Sequence, residues 1–140
     1  MIMFQRKNLL VILWVILILA FIIPYSTTIV PKQKVRAVDK IGTPIPNATF
    51  RQVWNHYSYE VGGTEFLTSD ENGYVELPER KFTAPLIYRI IRSGFAYSML
   101  IAHGSVGASG TVNALSDKCS SGLYEYNSSK ALPDVIVLGC

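Results

Sequence analysis

An unbroken apolar run from position 9 to position 23 (LLVILWVILILAFII), behind Arg6 and Lys7, dominates the pattern of hydrophobic and polar positions along this chain. A helix rises about 1.5 Å per residue and the hydrocarbon core of a bilayer is about 30 Å thick, so the run alone is short for a crossing. Carried on through Pro24, Tyr25 and the polar residues 26–28 to Val30, it reaches 22 residues and predicts one N-terminal transmembrane helix, with Tyr25 near an interface. Small residues suited to signal cleavage are poorly placed behind it, which favours a retained anchor over the alternative, a cleaved leader. The basic flanks, Arg6 and Lys7 before and Lys32, Lys34 and Arg36 after, nearly cancel under the positive-inside rule. An eight-residue leader holds no domain, so the C-terminal part is expected on the extracytoplasmic side.

Downstream the period shortens to that of strands, because Pro and Gly recur every few residues and no long window keeps a 3.6 repeat. Strands are predicted at 34–38, at 48–54 with Phe50 and Trp54 on one face, at 57–61 and at 65–68. Ser69-Asp70-Glu71-Asn72-Gly73 is the strongest turn signal, since Asp and Asn bond their own backbone and Gly accepts the left-handed region. It predicts a hairpin with 74–77. Residues 85–92 fit both a helical face and alternation; the alternation of Phe95, Tyr97, Met99, Ile101 and His103 across Ser93-Gly94 selects two paired strands. GSVGASG at 104–110 is a loop, and 111–115, 123–126 and 135–139 complete the set. About seven or eight strands so spaced predict an all-β sandwich, organised as an anchor (1–30), a basic tether (31–36) and one domain (37–140).

Charge narrows the partners. From Lys32 onward eleven basic residues face ten acidic ones, and without the tether the balance is −2, so the folded part has no basic field for a nucleic acid. The two cysteines, Cys119 and Cys140, flank a Gly/Ser-rich segment, and in an oxidising compartment they read as a disulfide; free thiols are the other reading.

The segment from Ala37 to Phe50, AVDKIGTPIPNATF, followed by Thr68-Ser69-Asp70-Glu71-Asn72-Gly73-Tyr74, resembles the opening of carboxypeptidase regulatory-like domains and their Cna B-type, transthyretin-like relatives. The resemblance covers about 35–77. It implies a prealbumin-like (Ig-like) sandwich used as a stalk or interaction module, with Pro44 pre-setting a turn, Ile45 and Ala48 entering the core and Gly73 closing a hairpin. Relatives that cross-link themselves need an Asn in the last strand, and 135–139 has none; the C-terminal motif of the transthyretin-like hydrolases is absent too.

No constellation of residues predicts catalysis. His56 and His103 are far apart and without Cys or carboxylate at metal-ligand spacing, His103-Gly104-Ser105-Val106-Gly107 lacks the first glycine of a nucleophile elbow, and Asp70, Asn72 and Glu76 miss the EF-hand spacing. No cofactor is expected. Trp54, His56, Tyr57 and Tyr59, joined by Tyr124 and Tyr126, are the candidate binding residues, because exposed rings stack on sugars and anchor protein interfaces; ordinary cross-strand packing of aromatics in a sandwich is the favoured reading of the same cluster. The sequence therefore predicts a non-enzymatic, membrane-anchored module of the cell envelope, in contact with lipid through 9–30 and with a protein partner, or alternatively a carbohydrate-binding module of the same fold.

Overall fold

Pro24 ends the N-terminal helix. In the computed structural model, which describes residues 2–98, 107–117 and 119–139, helix α1 (Ile2–Ile22) gives way at once to strand β1 (Pro24–Val30). Proline has no N–H for a helical bond, and the Thr, Ile and Val residues behind it prefer extended backbone. The transmembrane helix expected through Val30 is thereby corrected. Among the described residues no helix is long and apolar enough to cross a membrane; the apolar part of α1 rises only roughly 21 Å. Ile29 and Val30, assigned to that span, are fully buried in the core of the folded body.

The body is strand-rich. The 3-stranded sheet has the order β10 (Val135–Val137), β2 (Gln33–Val38), β5 (Tyr74–Leu77), with β10 parallel to β2. The second sheet runs β4 (Val61–Thr68), β3 (Thr49–His56), β7 (Ala108–Ser116), and the free side of β7 is shared by β8 (Cys119–Ser120) and β9 (Tyr124–Tyr126). Val35, Ala37, Val75 and Ile136 from the first sheet meet Phe50, Val112, Ala114 and Tyr126 from the second in one core, a sandwich-like arrangement. Alternation along β3, β5 and β7 puts every second side chain inside.

β1 joins neither sheet. It pairs antiparallel with β6 (Arg80–Pro85) as a separate ribbon whose register sets Pro24 opposite Pro85. Helix α2 (Leu86–Ser98) leaves the ribbon at that same end and touches α1. The two strands predicted from 85 to 103 are therefore corrected to one helix as far as Ser98, and 99–103 lie outside the described residues. With α2 the all-β class falls as well. Gly94 costs the helix about 1 kcal/mol, but the helical repeat of Arg89, Arg92, Ser93 and Ala96 supplies an inward face.

Three further expectations change. Tyr57–Tyr59 is a 3₁₀ turn rather than a strand, and the third and fourth predicted strands merge into β4 behind it. The 69–73 turn forms with Gly73 at φ 79 and with Asp70 Oδ1 accepting from the N–H groups of Asn72 and Tyr74 at 2.9 and 2.8 Å. It closes no hairpin, because β4 and β5 lie in different sheets, so the turn carries the chain across the sandwich. The predicted loop ends early: β7 begins at Ala108. In the 39–48 segment Asp39 Oδ1 accepts from Ile41 and Thr43, and buried Ser69 binds both Ile45 and Ala48, locking the two turns together.

Candidate functional site

Several aromatic rings and two arginines gather where the 3₁₀ turn, the ribbon and α2 meet. Arg89 projects from the inner face of α2 with 4% of its surface exposed. Its Nε donates to Ala84 O at 3.2 Å, Nη1 to Thr27 Oγ1 at 2.6 Å, and Nη2 to Tyr25 O at 2.6 Å and Phe82 O at 3.1 Å. The guanidinium also lies over the Tyr25 ring, 3.9 Å from its centroid, with the rings of Phe82 and Tyr59 at 5.3 and 5.4 Å. Carbonyl dipoles and ring faces, rather than a carboxylate, thus hold the charge among the described residues.

Tyr59 is stacked between His56 at 4.0 Å and Phe82 at 4.7 Å, with Tyr88 tilted 6.5 Å away. Burial lowers the His56 pKa, and the Arg89 charge lowers it further; its Nδ1 is buried with no hydrogen-bond partner among the described residues. A histidine held neutral by its fold stabilises that fold above its unfolded pKa, near 6.5, and the contribution fades as pH falls through and below that value. Melting temperature is therefore expected to drop between about pH 7.5 and pH 5.5, and to drop less in His56→Phe; equal losses in the two proteins would contradict this assignment.

Beside the stack a hollow of about 200 Å³ opens between the 3₁₀ turn and α2, lined among others by Tyr57, Ser58, Glu60, Arg92 and Phe95. Arg92 Nη2 is paired with Glu60 Oε1 at 2.5 Å, and that hydrogen bond raises the Arg92 pKa. Glu60 itself sits in the left-handed region at φ 51.

Of the four candidate residues, His56, Tyr57 and Tyr59 come together here, and Trp54 does not. Trp54 lies under the Arg80 guanidinium at 4.2 Å, next to a polar knot in which Arg80 Nη2 donates to buried Gln52 Oε1 at 3.1 Å and pairs with Glu65. Tyr126, expected among the exposed rings, belongs to the core, where its hydroxyl accepts from Gln52 Nε2 at 2.5 Å and burial raises its pKa. Tyr124 packs against the same core. Sequence reasoning passed over Arg89, Arg92, Phe82 and Phe95, although two arginines three apart in an apolar run are a signal for one helical face.

The carboxylates that follow the 69–73 turn have structural settings. Glu76 pairs with Lys32, and Glu79 accepts from Thr28 and pairs with Lys81, which lowers its pKa. No group of three ligands among the described residues could hold a metal. His103, Ser105 and Cys140 lie outside the described residues, while Cys119 on β8 is not a free thiol. Set beside known proteins, the chain matches no family model, no characterised sequence and no solved structure.

Proposed function

We propose that this protein is a non-enzymatic module of the extracytoplasmic envelope, held at a lipid surface by α1 and α2 together, whose strand-rich body serves as the platform for a protein partner. The carrying observation is that α2 is inside out. Its inward face holds Arg89, Arg92, Ser93 and Ala96, while Ile87, Ile90 and Ile91 face outward, Ile91 with 63% of its surface exposed. Water-facing helices reverse that order, and an apolar patch of this kind marks a surface that meets something other than water.

α1 adds to the same patch, since the Pro24 and Pro85 pairing starts both helices from one end of the ribbon and the residues from Leu9 to Leu19 are exposed without a polar interruption. Lipid suits a surface with so few hydrogen-bonding groups. The apolar part of α1, roughly 21 Å long, falls short of the roughly 30 Å hydrocarbon core, so we place it in the bilayer tilted and without a crossing. Lipid contact accordingly stops near Ile23 rather than at Val30. The non-free Cys119 supports an oxidising compartment, with Cys140 as its proposed partner. The turn chemistry at 39–48 and 69–73 supports kinship with the carboxypeptidase regulatory-like domains.

Quenching by brominated lipids tests the reading in vesicles. With Trp54→Phe, the remaining Trp14 on α1 is expected to be quenched; a Trp placed by Ile91→Trp, with both natural tryptophans changed to Phe, is expected to be quenched as well. A full chain that stays at the bottom of a flotation gradient, or an unquenched reporter at position 91, would defeat it.

A further inference from the structure

We propose that the hollow between the 3₁₀ turn and α2 binds one uncharged pyranose ring. Its volume, about 200 Å³, lies below the roughly 300 to 1,000 Å³ of pockets for larger ligands, which selects a single ring. Two aromatic side chains line it, Tyr57 and Phe95, and a sugar presents C–H faces to such rings. The one carboxylate and the one guanidinium, Glu60 and Arg92, are already paired, so the site carries no net charge to select an anion or a cation. A carboxylate that accepts and a guanidinium that donates, with the Asn55 amide nearby, match the alternating needs of neighbouring hydroxyls.

Two details indicate a site rather than a packing gap. Among the described residues Arg92 Nε has no hydrogen-bond partner, a donor left over once Nη2 has paired with Glu60. Glu60 is held at φ 51, a region that a residue without Asn-like tolerance rarely adopts, and this presents its carboxylate, mostly exposed, at the rim. The proposal does not depend on lipid contact, because none of its polar groups belongs to the outward face of α2.

The test is saturation-transfer NMR of the full chain in a detergent without a sugar headgroup, against the methyl glycosides of glucose, galactose, mannose and N-acetylglucosamine. At least one is expected to bind with roughly millimolar affinity, to lose about tenfold in Tyr57→Ala and in Glu60→Gln, and to bind Trp54→Phe as it binds the parent. A glycolipid carrying the same sugar in the micelle identifies the source: a gain over the free glycoside indicates a lipid-borne ring, no gain a free one, and either supports the site. Absence of saturable binding for the whole panel, or binding unchanged in both variants while each melts as the parent does, would overturn it.

Discussion

Arg89→Leu is expected to destabilise the protein by about 3 kcal/mol and to release α2 from the ribbon. Four oxygen acceptors converge on this guanidinium: the carbonyls of Tyr25, Phe82 and Ala84 and the Thr27 hydroxyl. Leucine fills much of the volume but donates nothing. Replacing a buried ion pair by hydrophobes is often harmless, because both charges leave together. Here the cation leaves and polar groups stay behind in a dry site, and the contact with the Tyr25 ring, worth about 2 kcal/mol when desolvated, goes too. Arg89→Lys keeps the charge but reaches fewer acceptors, so an intermediate loss is expected. Urea denaturation gives the magnitude, and hydrogen exchange gives the place: protection should fall in 24–30, 80–85 and 86–98 ahead of β3 and β7. Unchanged or increased stability in Arg89→Leu would show that the acceptors find other donors and that the cation is not what holds the helix.

That buried arginine also explains where the sequence was readable and where it was not. Turns whose chemistry is local came through: Asp39 and Asp70 each cap their own loop, and Gly73 takes the left-handed region its turn demands. Strands flanked by such turns, β2, β3 and β5, lie within a residue or two of their expected places. The pairings were not legible, because β1 meets β6 across more than fifty positions of chain and no local pattern encodes that choice. Residues 24–30 looked like the tail of an apolar helix, and only their long-range partner makes them a strand.

α2 misled for a different reason. Hydrophobic periodicity predicts which face is buried on the premise that apolar goes inward, and this helix turns its arginines in and its isoleucines out. The candidate site inherits both difficulties. Tyr57, His56 and Tyr59 are consecutive enough to be noticed together, whereas Phe82, Arg89, Arg92 and Phe95 reach them only through a helix read as two strands. Trp54 and Tyr126 were grouped with them by residue type, but strand alternation and register send them to the polar knot and the core.

Gly110→Ala is expected to cost about 1 to 3 kcal/mol, at the upper end of that range. A Cβ at this position would stand 2.6 Å from the Tyr126 ring and 2.6 Å from Val30 Cγ1, where both neighbours are buried and neither is a flexible side-chain end. Gly110 on β7 is the register partner of Tyr126 on β9, so the ring lies across the glycine, and Val30 closes over the same spot from the ribbon. The missing side chain is thus what lets β1 seat on the sandwich. Val30→Ala removes one of the two obstructions at the cost of a small cavity, and the double variant is expected to be more stable than the sum of the single losses by about 1 kcal/mol. Strict additivity in thermal or urea denaturation would mean that Val30 does not pack there, and the segment between the apolar helix and the body would have to be assigned again.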